Sequence, residues 1–249
     1  MRSSRPKVLH PLAGKYLIQH VIDTAQALNP TQIHVVVGHG ADAVEQALAG
    51  QNLNFHQQTE QLGTGHAVAC ALPGCASNSA VLVLFGDVPL IAASTLKTLI
   101  AGSQDNPSML AARLDDPQGY GRVLRSEQGH FLAVVEQADA NETQALINEV
   151  NTGVLAAPVE QLSALLNLVG NDNAQGEYYL PDALGLAQQQ GIAVAVAVTD
   201  DPLEMYGIND RLQLQTLERA LQCRRADTLM SAGVAVADRQ RIDIRGELT

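Results

Sequence analysis

The segment "AVLVLFGDVPLI", residues 80–91, restricts the fold of this chain more than any other stretch. Ala80 to Phe85 is an apolar run without polar alternation, the pattern of a strand covered on both faces, as in a parallel sheet flanked by helices. Such a strand is expected at the centre of its sheet. Gly86 and Asp87 follow at its carboxyl end, where open α/β sheets place their ligands. A carboxylate there can hold a hard cation that a phosphate also touches. Capping a turn before Pro89 accounts for a Gly-Asp pair equally well, so other residues have to decide.

The surrounding pattern supports an α/β layer. Leu17, Ile18, Val21, Ile22, Ala25 and Leu28 recur at three- and four-residue spacing and predict a helix over 12–28. "QIHVVVGHG" reads as a strand and turn, 41–49 as a helix, "LNFHQQ" as a short strand and 64–72 as a helix. Beyond the 80–85 strand come a helix from Ser94, a strand at "SMLAARL", a hairpin-like stretch over 119–136 and a strand over 150–156. A helix from Val159, another around 179–190 and the strand "IAVAVAV" follow. Strands alternating with helices call for a mostly parallel sheet between helical layers. A long element from Asn209 to about Ser231 ends the order, with Leu212, Leu217, Leu221 and Leu229 near one face and Gly233 as a C-cap candidate. The expected division is 1–208 for the α/β domain and 209–249 for a linker helix and tail.

Composition narrows the chemistry. A net charge of -11 over 249 residues has the wrong sign for a protein that neutralises nucleic-acid phosphates or anionic lipid, so a small ligand is expected, with neither nucleic acid nor membrane as partner. Cys70, Cys75 and Cys223 form no CxxC pair, which suggests core thiols in a reducing compartment. No apolar stretch approaches the ~20 residues of a membrane span, and a cytoplasmic location is expected.

In "QQTEQLGTGHAVACAL", residues 57–72, Gly63 and Gly65 flank Thr64 at a helix start and leave backbone N–H groups with little side-chain cover. An ordinary glycine turn with Thr64 as N-cap fits the same letters. Gln58 and Gln61 add amides able to read a base edge. Gly119, Tyr120 and Gly121 in "DPQGYGR", Glu136 in "VVEQ", Asn151 in "EVNTGVL" and the "NAQGEYYLPD" cluster supply neutral hydrogen-bonding groups suited to a sugar. The seven histidines lack zinc-helix spacing, and no Walker loop, G-x-S-x-G or G-x-G-x-x-G appears.

The ordered set "PKVLHPLAGK", "EQLGTGHA", "FGDVPLI", "GYGRV", "EVNTGVL", "NAQGEYYL" and "GINDRLQL" resembles the uridylyltransferase domain of the bacterial N-acetylglucosamine-1-phosphate uridylyltransferase/glucosamine-1-phosphate acetyltransferase (GlmU) family, over nearly the whole chain. The resemblance implies a Rossmann-like nucleotidyltransferase fold. It implies Mg²⁺ on Asp87 and Asn209, with Lys7 meeting the nucleotide phosphates and sharing the catalytic role with Asp87. Gln58, Gly63 and Thr64 would face the uracil. Gly121, Glu136, Asn151 and Tyr179 would line the sugar pocket, with Phe85 where many relatives carry tyrosine and Pro181 where threonine is common. The substrates implied are UTP and N-acetylglucosamine-1-phosphate.

In that family a buried strand and an L-x-x-G-x-G-T-R-M loop precede "SxxPK". Reading Met1 as the last letter of that signature implies that the chain as written transfers poorly. A left-handed β-helix, which carries the acetyltransferase and builds the trimer, follows a stretch like "RGELT" in the family. Neither acetyl transfer nor the trimer is expected of these residues. Two other readings remain at this level: an inactive nucleotide-sugar binding fragment, and a nucleotidylyltransferase for another sugar-1-phosphate.

Overall fold

A computed structural model describes all residues except 2, 4, 104 and 247–249. The chain begins with a short 3-10 turn (Lys7–Leu9), a small hairpin of β1 (Pro11–Leu12) and β2 (Lys15–Tyr16), and α1 (Leu17–Gln26). Then come β3 (His34–Val37), α2 (Ala41–Ala47), β4 (Asn54–Gln57), α3 (Thr64–Ala71), β5 (Ala80–Val83), α4 (Ala93–Ala101) and β6 (Ser108–Arg113). The second half holds β7 (Arg122–Arg125), β8 (Phe131–Val135), α5 (Glu142–Ala145), β9 (Glu149–Pro158), α6 (Val159–Leu166), α7 (Asp182–Gln189), β10 (Ala195–Thr199) and α8 (Arg211–Ser231).

The largest sheet has six strands and is mixed. β9 pairs antiparallel with both β5 and β6, so those two run the same way, and β10 pairs parallel with β6. β7 and β8 form an antiparallel ribbon joined to β9. β3 and β4 pair parallel in a separate two-stranded sheet. The main core lies between the large sheet and α6 and α7, around Met109, Leu155, Leu162, Leu165, Leu180 and Leu184. A second cluster packs α1 and α2 on β3 through Ile18, Ile22, Val35, Val37, Val44 and Leu48.

Several expectations need correction. The first helix starts at Leu17, not Leu12, because Ala13 (φ 48) and Gly14 (φ 89) reverse the chain and residues 11–16 form the hairpin. Leu12 lies off the helical stripe of Leu17, Ile18, Val21 and Ile22, and it is buried from the hairpin against Leu17, Leu90, Ile208 and Leu217. The aliphatic run is not covered as its letters suggest: among the described residues β5 is paired on one edge only, and Val81, Leu82 and Val83 are half-buried. The cysteines are free and partly buried; Cys75 packs against the main core, while Cys70 and Cys223 belong to no core cluster among the described residues.

On α8 the buried residues are Leu217, Gln222 and Ala226, while Leu212 is 74% exposed. The reason is the tail, which folds back along the helix. Gln222 donates to the Ile244 carbonyl at 3.0 Å and accepts the Ile244 N–H at 2.7 Å, so one side chain satisfies both backbone groups of a passing residue. Gly233 ends the helix as expected: at φ 92 it donates to Met230 O, and Val234 donates to Leu229 O. That is the paired C-terminal arrangement glycine permits. Residues 247–249 of the "RGELT" stretch lie outside the described residues. Among the described residues no helix is long and apolar enough to cross a membrane.

Candidate functional site

Asp87 lies just past β5, and its backbone carbonyl accepts the Ile208 N–H at 3.0 Å. That bond lays the 205–209 loop across the strand end. Asn209 follows in the loop, its N–H donating to Gln213 Oε1 at 2.6 Å, while Asp210 caps α8 by accepting the Gln213 N–H at 2.8 Å. Lys7 comes from the far end of the sequence, on the turn after Pro6. Its Nζ lies 2.6 Å from Asp87 Oδ2 and donates to Asn209 Oδ1 at 2.8 Å. The Met1 amine donates to the Asn209 carbonyl at 3.0 Å. Two oxygen-bearing side chains far apart in the sequence, Asp87 and Asn209, thus converge on the one positive charge of Lys7.

Tyr120 stands beside this group. Burial raises its phenol above the ordinary range, and neighbouring Tyr206 and Asp87 raise it further. Tyr206 escaped the sequence reading because nothing in "EMYGIND" separates it from a core aromatic.

The Gln58 loop forms a second group. Gln58 Nε2 donates to the Gly63 carbonyl at 3.0 Å and lies 3.1 Å from His66 Nδ1. Gly63 has φ 110, and a Cβ there would sit 2.7 Å from the Tyr178 carbonyl oxygen, so only glycine fits without displacing backbone. Tyr178 N–H donates to Leu62 O and Gly65 N–H to Tyr178 O, both at 2.8 Å. Thr64 is not the N-cap of α3: Gly63 holds that position, and the Thr64 hydroxyl accepts the Leu180 N–H at 3.0 Å. The loop is therefore clamped to residues 178–180, not to its own helix.

The third group runs along β9. Asn151 donates its N–H to the Gly121 carbonyl at 2.8 Å, and its side chain accepts the Gly153 N–H at 2.9 Å. The Phe85 ring packs against Gly153, where a Cβ would come 2.5 Å from it. Gly121 is also close to Glu136, since a Cβ there would be 3.0 Å from Glu136 Oε1. Phe85, Gly121, Glu136, Asn151 and Gly153 thus form one connected surface. Pro181 occupies the N-cap position of α7.

Arg122, missed in the sequence, supports that surface. It is 2% exposed, and its guanidinium donates to the Tyr120 carbonyl and, at 2.9 Å, to Gln137 Oε1. Gln137 Oε1 also accepts the Gly119 N–H at 3.1 Å, which fixes the 119–121 turn against residues 136–137. The "GYGRV" string hinted at it, although a lone arginine after a turn is ordinarily solvated.

Electrostatics here are acidic. Burial pushes the Glu136 carboxyl above its ordinary range, with Asp182 and Asp139 adding to the shift. Asp182 is raised by burial and by Asp139. The Tyr179 hydroxyl is buried without a hydrogen-bond partner, and burial followed by the surrounding carboxylates raises it. A buried hydroxyl lacking a partner costs on the order of 1–3 kcal/mol unless a ligand or water meets it. Among the described residues no group of three or more His, Cys, Asp and Glu side chains is placed to hold a metal.

Asp87, Asn209, Lys7 and the glycine-rich clamp thus gather beside a layered α/β sheet, and by family the chain is a nucleotidyltransferase. The chain is a member of the MobA-like NTP transferase domain family, whose model matches residues 1–237. It is also similar to the "Bifunctional protein GlmU" of Marinobacter nauticus, at 50% identity over 250 aligned positions. The proteins of that name from Pseudomonas aeruginosa and Pseudomonas putida are 51% and 50% identical. In each case the whole of this chain is covered, and it spans 55% of the length of the relative.

Proposed function

We propose that this chain transfers a uridylyl group from UTP to N-acetylglucosamine-1-phosphate, releasing pyrophosphate. The observation that carries the reading is the convergence of Asp87 and Asn209 on the Lys7 ammonium at the carboxyl end of β5. The sugar-phosphate oxygen attacks the α-phosphorus of UTP, a P–O bond forms, and the bond to pyrophosphate breaks. No covalent enzyme intermediate is required, so alignment and charge neutralisation supply the rate.

The donor set suits Mg²⁺. Asp87 Oδ2 and Asn209 Oδ1 are hard oxygens already gathered around a positive charge, and Mg²⁺ commonly takes one or two protein ligands and completes its shell with water and phosphate. When bound there, the ion would neutralise phosphate charge. Lys7 then serves the phosphates with its ammonium. Gln58 and the Gly63 and Thr64 backbone present hydrogen-bonding groups to the uracil. Asn151, Glu136 and the Tyr179 hydroxyl offer partners to the sugar, with Gly121 and Gly153 keeping the floor open.

Pyrophosphate release from UTP and N-acetylglucosamine-1-phosphate with Mg²⁺ tests this. Asp87→Ala should lower turnover by about 100-fold or more, in line with removal of one electrostatic contact to the transition state. Unchanged turnover in Asp87→Ala overturns the assignment. Glucose-1-phosphate in the same assay tests the sugar: equal kcat/KM for both substrates would remove N-acetylglucosamine from the reading. Calorimetric binding of UDP-N-acetylglucosamine without any pyrophosphate release would make the chain a nucleotide-sugar binding module instead.

A further inference from the structure

Gln58 is anchored on every side at the end of β4. Its backbone N–H donates to the Val37 carbonyl at 2.7 Å, and its own carbonyl accepts from Gln61 Nε2 at 3.1 Å. The side chain therefore leaves a fixed point. Its Nε2 then meets two groups at once, the Gly63 carbonyl at 3.0 Å and His66 Nδ1 at 3.1 Å.

These two contacts fix where the hydrogens are. A carbonyl oxygen only accepts, so the amide nitrogen of Gln58, and not Oε1, has to face Gly63. That nitrogen carries two hydrogens, and the second is directed at His66 Nδ1, which must then present its lone pair. A neutral imidazole with a bare Nδ1 holds its hydrogen on Nε2. His66 Nε2 lies 3.9 Å from Cys70 Sγ, further along α3, and a weak sulfur acceptor suits it there. Both donors of the Gln58 amide are thereby used inside the protein. What is left for a ligand is Oε1, which accepts no hydrogen bond among the described residues. The Gly63 N–H, at the head of α3, likewise has no partner among them.

We propose that His66 is a positioning residue that sets the choice of nucleobase. By accepting from Gln58 Nε2 it locks the amide, so that an acceptor, Oε1, is the group turned to the base. A base carrying an imino N–H next to a carbonyl, as uracil does, matches an acceptor beside the Gly63 N–H. Cytosine has a bare ring nitrogen at the same place, and lone pair then meets lone pair. Discrimination is thus set by a side chain that acts through its neighbour. His66 has this role only if the Gln58 loop is the base site, as the uridylyl-transfer reading requires.

The test is calorimetric titration of the full chain with UDP and with CDP in the presence of Mg²⁺. UDP should bind about tenfold more tightly or better, the size of one matched base contact. In His66→Leu, which cannot accept, the amide is free to turn. UDP should then weaken while CDP strengthens, narrowing the ratio by about fivefold or more. His66→Asn, whose Oδ1 can stand where Nδ1 stands, should keep the wild-type ratio. Nitrogen NMR of the neutral His66 imidazole needs no nucleotide and should place its hydrogen on Nε2. A hydrogen on Nδ1, an unchanged ratio in His66→Leu, or an equal loss of both nucleotides overturns the role of His66 and leaves uridylyl transfer standing. A wild-type chain that binds neither nucleotide, or both equally, takes uracil recognition out of the functional reading and the role of His66 with it.

Discussion

β5 and β6 make an instructive pair. The two strands run the same way on either side of β9, and β5 has the greasier sequence. Met109, Leu110, Ala111 and Ala112 of β6 are all 0% exposed, whereas Val81, Leu82 and Val83 of β5 are half-buried. The difference lies in the edges: β6 is paired by β9 and β10, and β5 by β9 alone. Apolar composition states a preference for burial, and neighbours on both sides are what satisfy it.

That contrast can be tested by truncation. Met109→Ala in the closed half should cost about 2–5 kcal/mol in urea melts, the range for a fully buried large-to-small change. A cost as small as that of an edge residue would break the comparison. Gly63→Ala acts at the joint, where the loop after β4 grips residues 178–180. Strain at its positive φ alone should cost about 1–3 kcal/mol, and the contact with the Tyr178 carbonyl should show as faster amide exchange at Gly65 and Tyr178. Leu82→Ala in β5 should cost only about 1 kcal/mol, half the transfer value of a leucine already half in water.

The smallest expected effect is on pH dependence, and it has opposite signs in the two regions. Glu136 and Asp182 have raised carboxyls in the folded state. Above the ordinary carboxylate range the folded chain holds protons that the unfolded chain has released, so stability falls as pH rises through the raised values and is flat beyond them. Beside β3 and β4, His34 Nδ1 lies 2.8 Å from His56 Nε2, and burial followed by His56 lowers the His34 pKa from its ordinary 6.5. There the unfolded chain takes up protons first, so stability falls as pH drops below 6.5. Between the ordinary carboxylate range and 6.5 the two contributions oppose each other, and above that window both are flat. Glu136→Gln should remove part of the falling contribution and leave denaturation midpoints rising more steeply with pH there, and an unchanged profile would contradict the assignment.

Much of this was legible in the letters. The alternation of strands and helices, the placement of Asp87 beyond an apolar run and the Gly233 helix stop follow from local rules of periodicity and turn chemistry. Lys7 meeting Asn209 across 202 positions follows from no spacing, and only the resemblance pointed to it. The start of α1 falls later than the sequence suggests because Ala13 and Gly14 break the chain by positive φ, which periodicity does not register. The leucine stripe of α8 misled for a different reason: the tail chooses which face is covered, and Gln222 serves it better than a leucine. Arg122 was hidden because its partners are carbonyls and an amide, contacts that leave no charge pattern in a sequence.

The Gln222 contact has a mechanical consequence. Because its amide holds both polar groups of Ile244, and Arg225 also donates to the Ile244 carbonyl at 2.6 Å, tension on the downstream chain is taken up by α8. That helix begins beside the candidate site, since Asp210 caps it and Gln213 in its first turn accepts the Asn209 N–H, so the tail is anchored to the same element that holds Asn209 in place.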